Sequence, residues 1–191
     1  MHSQQIALAV INVIGGILVV GSYVQGIRAH PDTRDDAWGH IPRRLMPVYK
    51  VSMLLAALGY FLFTYFVLFR LKPEEVELAN SFTYGLFILL YALILFPSAI
   101  WMPLTFRMLE KPGRLVWYAV RLTLAVVGLA SLGLLGTLLA LEHSEPAAFY
   151  WLAVAGSLFF SIQTALLDAL VWPAYFLAGR QSGGSDSTDR P

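Results

Sequence analysis

Two ionisable side chains, Arg121 and Asp168, stand inside stretches that otherwise carry no charge. In hydrocarbon each costs at least ~2.5–3.5 kcal/mol near a helix centre, so each calls for a partner, a route to water or a task. Arg121 lies seven residues past Arg114, and Asp168 twelve before Arg180. At ~1.5 Å per helical residue the depths are ~10 Å and at most ~18 Å, which puts both in one half of an apolar layer ~30 Å thick. An Arg121–Asp168 pair is therefore expected. Two readings of it stay open. One is structural: an ion pair that fixes helix register, or Arg121 snorkelling to lipid headgroups. The other is functional: the two charges mark a ligand, proton or ion path.

Polar and aromatic residues gather at the same positions. Ser161, Thr164, Asp168, Trp172 and Tyr175 follow a 3-4-4-3 spacing, which an α-helix turns onto one face. Trp117, Tyr118 and Arg121 are expected to share a face in the preceding span. The span before that contributes Tyr84, Tyr91 and Ser98 at seven-residue intervals, with Pro97, Trp101 and Pro103 near its end. The candidate ligand-binding set is Arg121, Asp168, Trp101, Trp172, Tyr91, Ser98, Thr164 and Trp117, in a pocket between spans three, four and five. A belt of interfacial aromatics is the alternative reading of Trp101, Trp117 and Trp172.

The elements that would position these residues are set by composition. Hydrophobic residues make up 58% of the 191 and charged residues 13%. A soluble domain is nearer 25% charged, so the chain lacks the charge to coat a surface in water. Charge-free runs predict five membrane-spanning helices, at about 5–27, 46–69, 78–106, 115–141 and 147–177. The runs are too long and too uniformly apolar for transmembrane β-strands, which alternate over ~10 residues. The third run exceeds the ~20 residues that cross a bilayer, so it should tilt, kink or protrude. Pro97 and Pro103 would leave the carbonyls of Leu93 and Ala99 without their usual donors. Gly15, Gly16 and Gly21 in span one, and Gly128, Gly133 and Gly136 with Ala130 and Ser131 in span four, permit close helix contact. Residues 1–178 form one domain. The polar, Gly/Ser-rich segment 179–191 is expected to be a disordered cytoplasmic tail. Residues 1–5 carry no Lys or Arg, so the first span is expected to be retained rather than cleaved as a signal.

Basic residues alternate between connections. Arg28, Arg34, Arg43, Arg44, Lys50, Arg107, Lys111, Arg114, Arg180 and Arg190 fall on one side, against Arg70 and Lys72 on the other. Short basic loops stay cytoplasmic, so an all-α five-helix bundle with its N-terminus outside and its C-terminus inside the cell (inner) membrane is expected.

Several chemistries are disfavoured. The chain has no cysteine, which removes disulfides, thiolate metal sites and iron–sulfur clusters. All four histidines, His2, His30, His40 and His143, lie outside the spans, so haem b held between helices is not expected. No lysine lies mid-span, which disfavours a retinal Schiff base. The loop HPDTRDDAWGHIPRR offers His30, Asp32, Asp35, Asp36 and His40, but their spacing matches no metal motif, and a solvated loop is expected. No nucleophile–base set is present, so no catalytic residue is assigned. Nucleic acid is not an expected partner, since the loop arginines face anionic lipid equally well. In span count, length and Trp/Pro content the architecture resembles the tryptophan-rich sensory protein/translocator class. That class's dense Trp/Pro/Gly pattern after its first span is absent from HPDTRDDAWGHIPRR, and no residue role carries over. The expected function is binding or transport of a small hydrophobic or amphipathic, lipid-like molecule. The alternative is a non-catalytic accessory subunit of a larger membrane complex. Membrane lipids are expected partners, with homo-oligomerisation open.

Overall fold

The computed structural model describes residues 2–76, 83–141 and 147–176, with the side chains of Arg34 and Glu75 excepted. The expected tail at 179–191 lies outside these residues, as do positions 78–82 of the expected third span. The described part is all-helical. Its main helices are α1 (Ser3–Ala29), α2 (Met46–Tyr65), α3 (Gly85–Glu110), α4 (Arg114–Leu139) and α5 (Ala147–Ser161). Two are extended by wider π-helical turns: Phe66–Arg70 continues α2, and Ile162–Val171 continues α5. Among the described residues, five helices are long and apolar enough to cross a membrane, and their limits lie close to the charge-free runs. The third is displaced from its expected start at 78. It begins at Gly85 and continues through both prolines to Glu110, so its excess length projects past Arg107 at the basic end. Proline removes one donor each time, but the apolar run on either side keeps the remaining helical bonds the best choice for the backbone.

Sequence order is not spatial order. α1 packs most extensively on α3, α3 on α4, α4 on α5 and its π extension, and α5 on α2. α2 returns towards α1 and α3 through long side chains. Tyr60 donates to Asn12 Oδ1 at 2.6 Å, and Tyr91 donates to Thr64 Oγ1 at 3.0 Å. The outward faces stay apolar, as Ile17, Val20, Leu54, Phe61, Leu122 and Leu129 show.

Contacts across the helix ends establish the up–down arrangement. At one end, His30 after α1 meets Glu110 of α3 at 2.9 Å, and Trp172 beyond α5 donates to the carbonyl of Ala37 at 3.0 Å. This end carries Arg28, Arg43, Arg44, Lys50, Arg107, Lys111 and Arg114, and is called the basic end below. At the other end, Gln5 of α1 donates to the carbonyls of Leu68 and Leu71 beyond α2.

Two core clusters lie along the bundle. The first joins Phe63, Tyr84, Tyr91, Ile94, Leu134 and Tyr150. The second, at the basic end, joins Tyr49, Val120, Leu124, Trp172 and Phe176, with Trp101 and Trp117 packed against it. The tightest crossing is α2 on α5, where Gly59 and Gly156 meet backbone to backbone. A Cβ on Gly156 would lie 2.8 Å from the carbonyl oxygen of Gly59. Of the glycines expected to permit close contact, Gly15, Gly128 and Gly133 do face neighbouring atoms, whereas a Cβ on Gly16, Gly21 or Gly136 would meet nothing within 4 Å. Helix rotation decides this, because residues one apart in a helix point ~100° apart.

Gly156→Ala is expected to lower stability by about 1–3 kcal/mol, the usual cost of overpacking. Gly16→Ala should be neutral or gain up to ~1 kcal/mol from helix propensity. Unfolding in detergent, followed by circular dichroism, checks this; equal losses for both variants would remove Gly59–Gly156 as the tight crossing.

Candidate functional site

Among the described residues, the π segment Ile162–Val171 carries the only carboxylate inside the long apolar helices away from their ends. Its geometry creates the local chemistry. In an α-helix, residues five apart point ~140° from one another, since each step turns ~100°. A π-helix closes its turns on i+5, so such residues become neighbours. Gln163 and Asp168 are five apart, and Gln163 Nε2 donates to Asp168 Oδ1 at 2.8 Å. The carbonyl of Leu167, which accepts the Trp172 N–H within the helix, also takes a donor from outside it. Tyr49 of α2, only 2% exposed, donates its hydroxyl to the carbonyl of Leu167 at 3.0 Å. On the opposite side, Gly128 of α4 lets the segment approach so closely that a Cβ there would stand 3.0 Å from Ala165 Cα.

Asp168 therefore sits between helices, half-buried, on a segment seated against α4 and α2. Tyr49 of α2 reaches the residue before it, and Tyr23 of α1 reaches Trp101, which meets Trp172 one turn beyond it. Tyr23 rests its ring against Trp101 of α3, with centroids 5.8 Å apart. Trp101 meets Trp172 edge-on at 5.8 Å, and Trp172 stacks on Phe176 at 4.5 Å. Trp117 stacks on Phe176 at 5.7 Å. The result is an aromatic wall at the basic end, with the acid and its amide partner on the adjoining π segment.

Three polar atoms here are buried without a hydrogen-bond partner: Gln163 Oε1, Ser161 Oγ and Trp101 Nε1. Gln163 is 6% exposed. A buried polar atom left unpaired costs about 1–3 kcal/mol.

The loop between α1 and α2 is not simply solvated. Its short 3₁₀ turn, Arg34–Trp38, lies over the aromatic wall, where Ala37 accepts from Trp172 and Ile41 is buried. Gly39 has φ +65°, and a Cβ on it would come within 3.0 Å of Phe176 Cα, so both conformation and space require glycine. His30, considered above as a loop metal ligand, instead bridges the Gly26 carbonyl and the Glu110 carboxylate, with its ring stacked on Phe106 at 4.2 Å. Among the described residues no group of three or more His, Cys, Asp or Glu could hold a metal ion.

The structure divides the expected residue set. Trp101, Trp117 and Trp172 come together, beside the segment that carries Asp168. Arg121 does not join them, and the expected Arg121–Asp168 pair is not formed. The buried stripe of α4 runs through Val120, Leu124, Val127, Ser131 and Leu134, and this turns Arg121 outward with Tyr118, which is 67% exposed. The expected common face of Trp117, Tyr118 and Arg121 is thereby split, with Trp117 alone turned inward. Tyr91 lies in the other core cluster, bonded to Thr64. Ser98 returns its hydroxyl to the carbonyl of Ile94 at 2.6 Å. Thr164 closes the α4 contact by donating to Ser131 Oγ at 2.7 Å. Sequence reasoning missed Gln163, Tyr23 and Tyr49. Gln163 falls off the α-helical face of Asp168, and the two tyrosines stand near span ends where interfacial anchors are ordinary.

A double-mutant cycle on stability separates these partnerships. Arg121→Gln with Asp168→Asn is expected to be additive within ~0.5 kcal/mol, whereas Gln163→Ala with Asp168→Asn should couple by about 0.5–3 kcal/mol. Strong coupling of Arg121 to Asp168 would contradict the outward placement. No family model matches the chain, and no curated protein or solved structure matches it.

Proposed function

We propose that this is a multi-pass membrane protein that binds or transports a small hydrophobic or amphipathic molecule at the basic end of the bundle, in the half of the membrane facing the cytoplasm. One observation carries the reading. The half-buried Asp168 has no cationic partner among the described residues, and its amide neighbour Gln163 keeps a buried oxygen unpaired. A structural ion pair would have matched the carboxylate with Arg121. An acid left in an apolar bundle with spare acceptors beside it marks a binding site or pathway by default. The aromatic wall supplies the apolar surface that such sites carry around a few placed polar groups. π-helical turns occur frequently at functional sites, because the wider turn redirects side chains into the space between helices.

The orientation belongs to the same proposal. Positive charge concentrates at the end that holds the site, and basic loops remain on the cytoplasmic side. The chain has no cysteine, so single-cysteine variants need no background removal. Lys111→Cys should react with a membrane-impermeant maleimide only after permeabilisation, and Lys72→Cys should react in intact cells. The reverse pattern overturns the orientation.

A second reading, an accessory subunit of a larger membrane complex, rests on Arg121. An exposed cation beside Tyr118 on the outer face of α4 is a place where another subunit's acid can dock. Native mass spectrometry of the detergent-purified protein distinguishes the two. Small-molecule binding predicts a protein mass carrying a low-mass adduct, lost in Trp101→Ala/Trp172→Ala. A bare chain that purifies at fixed ratio with another polypeptide supports the accessory reading instead.

A further inference from the structure

We infer that the site selects a positively charged amine: its ligand is a small amphipathic organic cation whose ammonium group sits between the Asp168 carboxylate and the Gln163 carbonyl oxygen, against the Tyr23–Trp101 aromatic surface. This rests on the small-molecule reading above and names its substrate class.

Four observations converge on a cation. The carboxylate has one described hydrogen bond, from Gln163 Nε2 to Oδ1, although an ionised carboxylate offers about four lone-pair sites. Gln163 Oε1 is buried and unpartnered, and the amide geometry holds it close to the same carboxylate because its own nitrogen is bound there. Both groups present acceptors, so a donor fits between them. An alkylammonium is donor-only, with up to three N–H groups and no lone pair to clash with either oxygen.

Second, the surrounding rings favour positive charge. Tyr49 bonds the carbonyl of Leu167, the residue before Asp168, and Tyr23 packs on Trp101, which meets Trp172 one turn beyond Asp168. Ring faces carry negative potential and attract ammonium groups by about 0.5–2 kcal/mol, more when water is excluded. Third, no described Lys or Arg pairs with Asp168, and the one cation expected to do so, Arg121, points away. An anionic headgroup would meet a carboxylate with nothing to offset the repulsion. Fourth, the ligand's apolar part has partly exposed rings to lie on, Trp101 and the Tyr23 packed against it.

The position on a π segment matters to this selectivity. It is the i+5 turn that sets Gln163 beside Asp168, so the pair exists only while that turn is kept. The hydroxyl of Tyr49 on Leu167 holds the turn from the neighbouring helix, which makes Tyr49 a positioning residue.

The test uses full-length protein in phosphatidylcholine nanodiscs and three probes of one shape and different charge: phenethylamine, 2-phenylethanol and 3-phenylpropanoate. Binding is followed by intrinsic tryptophan fluorescence and by calorimetry. Phenethylamine is expected to bind at least about tenfold tighter than 2-phenylethanol, and 3-phenylpropanoate more weakly than either. Asp168→Asn should erase the amine preference, bringing the two neutral-probe and amine affinities together. Asp168→Glu, which keeps the charge, should retain a preference, so a general packing defect at this position is distinguished from loss of charge. Gln163→Ala should weaken the amine a few-fold, by the loss of one acceptor. Arg121→Gln should leave all three affinities unchanged. Equal binding of alcohol and amine, tighter binding of the propanoate, or an amine preference that survives Asp168→Asn overturns the cation assignment while small-molecule binding stands. Absence of saturable binding for all three probes overturns both.

Discussion

A polar group inside an apolar bundle must find its partner within the bundle, and this constraint organises the structure. At several places where the regular helical pattern widens or ends, a side chain from elsewhere in the chain donates to the backbone there. At the end of α2, in the π turn Phe66–Arg70, the carbonyls of Val67 and Leu68 accept from Tyr84 and Gln5. At the end of α4, the carbonyl of Leu138 accepts from Tyr150. Beyond α5, Leu167 accepts from Tyr49. The donors come from a different helix or from across a connection, so each satisfied carbonyl also ties two parts of the chain together.

The same constraint explains why π turns are tolerated here. A wider turn is poor in isolation, because its backbone bonds are strained and its interior is loosely filled. It persists where a hydroxyl or amide is already placed to accept the released geometry. In the second π segment the benefit is chemical as well as structural. The turn brings Gln163 to Asp168 and presents an acid–amide pair towards α1 and α2, rather than stacking Asp168 above Thr164 as an α-helix would. Close seating on Gly128 holds the segment from behind. Local backbone form, interhelical bonding and the candidate site are one arrangement.

The loop at the basic end extends this logic to the surface. Gly39 permits the chain to pass against Phe176, and Ala37 receives the indole of Trp172, so the aromatic wall is covered by loop backbone rather than left open. His30 and Glu110 join the ends of α1 and α3 beside it. The candidate site thus has a floor in the π segment, a wall of tryptophans and a cover from the first loop. Its components come from all five long helices.

What the sequence determined by itself was the number and character of the helices and most of their limits. Charge-free runs long enough to cross hydrocarbon leave no other stable backbone form, and charged connections end them. It also singled out Asp168, because an acid in such a run is expensive wherever it points. The three tryptophans grouped at one end were legible for the same reason. The tertiary structure alone decided the rest. Arg121 and Asp168 looked like partners because their depths matched, but depth says nothing about rotation, and the buried stripe of α4 turned Arg121 out. Gln163 was hidden because face-sharing was read at ~3.6 residues per turn, and the backbone there winds wider. Tyr23 and Tyr49 entered because α1 packs on α3 and α2 on α5, a neighbour order that apolar surfaces of similar composition do not encode in any single segment. An apolar run specifies a helix because the backbone must be satisfied locally; which helices meet, and by which face, depends on the shapes of all of them at once.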